Sequence, residues 1–159
     1  MRSSYSVSTY VRTATLAAAI LLGGCAALEP GPQEMTWTGV SHGVSLDAAT
    51  GKFTRGGVAL FKNGDAAVMH FDGQMTSRDG STFNVRISYK FEDGSTFVHE
   101  GQGRGFERDG KRVFEGAGAF TSGTGRFAGI SGKTSSQSRN LSNVEQVGEY
   151  KAEYTIPRK

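Results

Sequence analysis

The sequence predicts an all-β protein, a small antiparallel β-barrel of about eight strands behind an N-terminal signal peptide. Three observations predict it. Between Thr82 and Phe91, the apolar residues Phe83, Val85, Ile87, Tyr89 and Phe91 alternate with Asn84, Arg86, Ser88 and Lys90. A period of two places all five on one face of a strand. Turn signals recur at Asn63-Gly64, Asp79-Gly80, Asp93-Gly94 and Asp109-Gly110, spaced 16, 14 and 16 residues apart, and each is expected to reverse the chain between paired strands. After Cys25 no stretch carries a convincing helical period.

Taken in order, strands are expected near Met35–Val40, Gly56–Lys62, Asp65–Phe71, Thr82–Phe91, Thr96–Gly101, Arg112–Phe120, Gly125–Ser135 and Gly148–Ile156. The last alternates well, with Tyr150, Ala152, Tyr154 and Ile156 set against Glu149, Lys151, Glu153 and Thr155. The polar span Ser136 to Gln146 reads as a loop or a weak strand. Eight strands suit a small closed barrel, whose closure removes exposed sheet edges and whose interior holds side chains or one small ligand. A two-sheet sandwich is the alternative. The 23 glycines fit either form, because they permit bulges and close backbone approach.

The first 24 residues stand apart. Arg2 and Arg12 form a positive n-region, and the apolar run from Ala14 through Leu22 is shorter than the about 20 residues that a spanning helix needs. A charged start, a short apolar core and small residues at the end mark a signal peptide. Leu22-Gly23-Gly24-Cys25 resembles the bacterial lipobox, in which an aliphatic residue and two small ones precede a cysteine that receives lipid. The resemblance implies cleavage before Cys25 and anchoring to a membrane through that residue. Ala26, in place of Asp, implies passage to the outer membrane, with the domain facing the periplasm. The division is then a signal peptide over 1–24, a tether over 25–33 containing Pro30, Gly31 and Pro32, and a barrel domain over 34–159.

Charge and cysteine usage narrow the chemistry. The whole chain carries 18 Lys+Arg against 15 Asp+Glu, and loss of Arg2 and Arg12 with the signal leaves a net charge of +1. The charges are interspersed, as in Glu107-Arg108-Asp109-Gly110-Lys111-Arg112, so no basic stripe points to nucleic acid. Cys25 is the only cysteine, which removes intramolecular disulfides and cysteine-based metal clusters.

The segment Gly118-Ala119-Phe120-Thr121-Ser122-Gly123-Thr124-Gly125-Arg126-Phe127-Ala128-Gly129-Ile130-Ser131-Gly132 resembles a signature of the allene-oxide-cyclase-like and dirigent-like barrels. In those proteins a strand ends in a Gly-Thr-Gly turn, followed by an aromatic residue and a Gly-rich strand. The closing Gly148–Pro157 strand is similar to theirs as well. The resemblance covers Arg112 to Pro157, and the earlier strands only in layout. It implies a calycin-like barrel. No catalytic residue is carried over, because no motif of the plant enzymes maps onto this chain.

Motifs for chemistry are thin. Ser131-Gly132-Lys133-Thr134 imitates the end of a phosphate-binding loop, but Phe127 stands where the first Gly belongs and no amphipathic helix follows. His42, His70 and His99 form no short-spaced pair; a metal site would need distant strands to gather them, with Asp72 or Glu100. Gly-x-Ser-x-Gly is absent. Glu149 and Glu153 share a strand face but lie about 13 Å apart by strand rise, and read as a solvated surface. No cofactor is expected. The positive signal is aromatic: Phe83, Tyr89, Phe91, Phe97, Phe114, Tyr150 and Tyr154 are the candidate lining of an interior that binds a small hydrophobic ligand, or else the filling of a packed core. A cyclase or isomerase in the same barrel and a structural module without ligand are the rival readings.

Overall fold

The computed structural model describes residues 31–158. The signal peptide and the candidate lipid-attachment residue Cys25 lie outside the described residues. Eight strands run in chain order: β1 (Gln33–Asp47), β2 (Lys52–Phe61), β3 (Ala66–Met75), β4 (Thr82–Phe91), β5 (Thr96–Arg108), β6 (Lys111–Thr124), β7 (Ser131–Asn140) and β8 (Glu145–Thr155). Each pairs antiparallel with the next, and β8 pairs back onto β1, so the sheet closes into an up-and-down barrel. Closure satisfies the backbone donors and acceptors of both would-be edges and removes the sandwich alternative.

The four Asx-Gly pairs sit in tight reversals, as their composition predicts. Gly64, Gly80, Gly94 and Gly110 all have positive φ, and Asp109 joins them at 52°. Two consecutive left-handed residues at Asp109-Gly110 make the primed turn whose twist matches the flanking strands. The strand β4 presents Phe83, Val85, Ile87, Tyr89 and Phe91 inward and leaves Asn84, Arg86 and Lys90 exposed.

Three expectations are corrected. The strand expected over Gly125–Ser135 begins only at Ser131, because Gly125 and Gly129 adopt φ of 60° and 78° and the chain makes a single 3-10 turn over Gly125–Phe127. Ser136 to Asn140, read as a loop or weak strand, completes β7, and Glu145 and Gln146 open β8. The strands β1, β2, β3, β5 and β6 are longer than expected, and β1 carries a register shift between Gly43 and Ser45. That irregularity bends β1 where it reaches the rim.

The barrel has two unlike ends. At one end lie the start of β1, the Asn63-Gly64 and Asp93-Gly94 turns, the 3-10 turn and the end of β8. This end is shut. Phe127 and Ile130 tuck beneath the 3-10 turn and are buried with Phe91 and Phe97. Arg126 fastens the closure: its guanidinium lies over the Phe91 and Phe127 rings, at 4.7 and 5.0 Å, and pairs with Asp65 at 2.7 Å and Asp93 at 3.5 Å. At the other end are the Ala48–Gly51 turn, the Asp79-Gly80 and Asp109-Gly110 turns and the Leu141–Val144 loop. This end is open.

Candidate functional site

The interior changes character halfway along the barrel. In the closed half, aromatic residues face aromatic residues across neighbouring strands: Trp37 is paired with Phe61 on one side and Tyr150 on the other, and Tyr89 is paired with Phe97. Trp37 stacks on both of its partners at 5.3 Å, and Tyr89 and Phe97 lie 4.5 Å apart. These rings meet across the barrel axis and fill it.

A buried polar chain threads this packing. The Trp37 Nε1–H donates to the Tyr89 hydroxyl at 3.2 Å, which lies 3.3 Å from His99 Nε2; His99 Nδ1 lies 2.9 Å from Thr134 Oγ1. The arrangement that satisfies every group has Tyr89 donating to Nε2 and the Nδ1–H donating to Thr134, which makes His99 a neutral Nδ1–H tautomer. Burial alone holds the His99 imidazole down at about 4, and burial first of all pushes the Tyr89 phenol well above its ordinary value.

In the open half the phenylalanines face glycines instead. Phe53 is paired with Gly73, Phe83 with Gly103 and Phe114 with Gly105. A Cβ on Gly73 would fall inside the Phe53 ring, and one on Gly103 inside the Phe83 ring. Each ring therefore lies flat along the wall, over the space its neighbour leaves, and does not reach the axis. Across from them, β7 and β8 turn Ser136, Ser138 and Gln146 inward. The result is a cup of about 390 Å³. Its wall is apolar on the β2–β4 side, with Phe71, Val85 and Ile87 beside the phenylalanines, and polar on the β7–β8 side. Tyr150 lies at its floor, its phenol pushed up to about 12 mainly by burial. Val44, Leu46 and Val144 stand exposed around the mouth.

One cation faces this cup. Arg55 lies inward on β2, half-buried, with Nε donating to Ser41 Oγ and Nη2 donating to the carbonyls of Ser41 and Val144 at 3.2 and 2.9 Å. Burial lowers the affinity of this guanidinium for its proton. It is far too basic to lose it near neutral pH.

The candidate lining residues thus divide. Phe83, Phe114 and Tyr150 line the cup. Tyr89 and Phe97 are packed within the closed half and do not reach the cup; Phe91 and Tyr154 lie toward the shut end. The cup also uses Phe53, Phe71 and Arg55, which were not singled out from the sequence. The signal for two of them was parity: Phe53 and Arg55 continue the inward register of Gly57, Ala59 and Phe61, but lie before the expected strand start at Gly56. His70 lies on the outer face, 3.3 Å from Asp72. Among the described residues no three His, Cys, Asp or Glu side chains converge as a metal site.

A closed barrel of eight antiparallel strands is an architecture found in solved structures. The pterocarpan synthase dirigent protein GePTS1 superposes with a TM-score of 0.57 at 11% identity, over 80% of this chain and 92% of that one. The fold is dirigent-like. PsPTS1, a second pterocarpan synthase dirigent protein, agrees, with a TM-score of 0.55 at 12% identity over 82% of this chain and 99% of its own. No protein-family model and no curated protein sequence matches the chain. Within the dirigent-like barrel of this chain, the cup at the open end is the candidate site.

Proposed function

We propose that this chain is a lipid-anchored envelope protein whose dirigent-like barrel takes up a small hydrophobic molecule in the cup. The observation that carries the reading is the switch from aromatic–aromatic to aromatic–glycine pairs along the axis, which leaves one half of the barrel hollow and apolar-walled. A cavity of this size with a few polar groups on one side lies within the range of small-molecule sites, roughly 300–1,000 Å³. The exposed apolar rim fits an entrance that a ligand partly covers.

A binding role is favoured over catalysis by what faces the cup. Its ionisable lining comprises Arg55, Tyr150 and Glu115, and Glu115 is engaged on the outer side by Arg104 and Arg108. None of these is poised to exchange a proton near neutral pH. The buried histidine, the side chain best suited to that task, has both ring nitrogens committed inside the packed half. The solved neighbours are pterocarpan synthase dirigent proteins, which keeps an enzymatic role as the rival.

The lipid anchor has a geometric consequence. The strand β1 starts at the shut end, eight residues after Cys25. With lipid on Cys25 the barrel would be tethered from its shut end, the end opposite the mouth of the cup.

The test is titration with phenylnaphthylamine, a neutral apolar dye that brightens on leaving water. Wild-type protein is expected to bind it saturably at one site, and Ser138→Phe, which places a ring in the cup, to abolish binding without unfolding the barrel. Saturable binding that Ser138→Phe leaves unchanged would move the site elsewhere and overturn the reading.

A further inference from the structure

The cup holds a charge that the protein does not neutralise. The other close pairings of an arginine with an acid lie elsewhere: Arg86 with Glu100 and Arg104 and Arg108 with Glu115 on the outer surface, Arg126 with Asp65 and Asp93 at the shut end, and Arg112 with Glu107 at the rim beside the Asp109-Gly110 turn. Arg55 has no ion pair with any described residue. It is nevertheless held in place. Its Nε and both Nη2 hydrogens are spent on Ser41 and on the Val144 carbonyl, so the guanidinium is fixed by neutral acceptors from two separate segments, β1 and the Leu141–Val144 loop. The two hydrogens on Nη1 have no acceptor among the described residues.

The surroundings of Nη1 explain why room remains there. Gly43, opposite Arg55 in the β1–β2 register, has no side chain, and a Cβ built on it would come within 3.8 Å of Nη1. The register shift between Gly43 and Ser45 interrupts the β1–β2 pairing just beyond that pair. The missing side chain leaves space beside the guanidinium where Gly43 and Arg55 line the cup. Taking a cation partly out of water is costly unless something compensates it. A backbone carbonyl offers only a dipole, and the free N–H groups of Nη1 remain for a charge-assisted hydrogen bond to an oxyanion.

We infer that the ligand of the cup is an organic anion, an apolar body bearing one carboxylate, sulfonate or phosphate group that docks on Arg55 Nη1. This inference rests on the cup being a ligand site. It adds the ligand's charge, its single anionic group and its orientation. The anionic group lies on the Arg55 side beneath the mouth, and the apolar body lies along Phe53, Phe83 and Phe114. The same placement accounts for the serines and Gln146 on the facing wall, which would meet the polar edge of such a molecule.

Two dyes with nearly the same apolar body separate this inference from the one beneath it. Phenylnaphthylamine is neutral, and anilinonaphthalene sulfonate carries one anionic group on the same rings. Wild-type protein is expected to prefer the sulfonate by about tenfold or more, the scale of one charge-assisted contact. Arg55→Met should erase the preference, so that the ratio of the two affinities falls to about one, and Arg55→Lys should keep part of it. Arg139→Gln, which removes an exposed cation from the outer face of β7, should change nothing. The preference should persist at about 0.15 M salt, since a partly buried pair is screened less than a surface one. If Arg55→Met does not fold, the ratio of the two dyes on wild-type protein still decides. Equal affinities on wild type, or a preference that survives Arg55→Met, overturn the inference while leaving the cup as a ligand site. Saturable binding of neither dye overturns the cup itself.

Discussion

The two halves of this barrel use the same aromatic residues to opposite ends. In the shut half a ring sits opposite a ring, as with Trp37 against Tyr150 or Tyr89 against Phe97, and the rings are driven to the axis, where they pack. In the open half a ring sits opposite a glycine, as with Phe53 against Gly73 or Phe83 against Gly103, and it lies down on the wall. Composition alone does not decide whether a small barrel is filled or hollow. What stands across the strand from each aromatic residue does. The glycines that weaken a strand by conformational entropy here act as seats for rings.

If the shut half is the structural core, the largest effect on stability should come from emptying it. Phe97→Ala removes a fully buried ring that touches Trp37, Phe61, Tyr89, Phe91, Phe120 and Phe127, and is expected to cost about 3–5 kcal/mol in chemical denaturation. Dye binding at the other end should change little in whatever fraction stays folded.

Acid should act on the same half. His99 is held neutral, with a folded value of about 4 against 6.5 for the free side chain. Between those values the unfolded chain binds the extra proton, so stability is complete above pH 6.5 and is lost as pH falls toward 4. The loss is on the order of 3 kcal/mol, at 1.36 kcal/mol per unit. His99→Gln should flatten that part of the stability–pH curve measured by urea unfolding. A wild-type curve with no slope in this window would remove His99 from the account.

Glycine substitutions sharpen the contrast between the halves. At Gly101, a Cβ meets the Ala117 carbonyl and the Gly118 Cα, which are backbone and cannot step aside. Gly101→Ala should therefore cost about 1–3 kcal/mol, the range for overpacking. At Gly73 the obstacle is the end of the Phe53 side chain, which has the cup to swing into. Gly73→Ala should cost less, at the low end of the same range of about 1–3 kcal/mol, and should instead reduce dye affinity by shrinking the cup.

How much of this was legible in the sequence follows from the same contrast. The strand β4 was readable because its inner face is apolar and its outer face polar from end to end, and the Asx-Gly turns were readable because positive φ demands such residues. The second half of β7 was not, because Ser136 and Ser138 face the cup while Ser135, Gln137 and Arg139 face solvent. A strand wetted on both faces has no alternation to detect. Arg55 was hidden for a related reason: a charged residue at an inward position breaks the apolar alternation, and the expected strand began only at Gly56. The polar half of the site was thus the part hardest to see, and for the reason that makes it a site. The glycines were read as freedom for the backbone, and their pairing with phenylalanine became visible only with the register.

The division of labour between the halves is tested most directly by one paired measurement: thermal unfolding and neutral-dye affinity recorded together for Phe97→Ala and Phe83→Ala. The Phe83 ring is only partly buried, so its loss should cost about 1–2 kcal/mol. The account predicts a crossed result, with Phe97→Ala strongly destabilised but still binding dye while folded, and Phe83→Ala mildly destabilised with clearly weakened binding. Equal losses of stability with dye affinity untouched in both would contradict it, because the open half would then be core like the shut one.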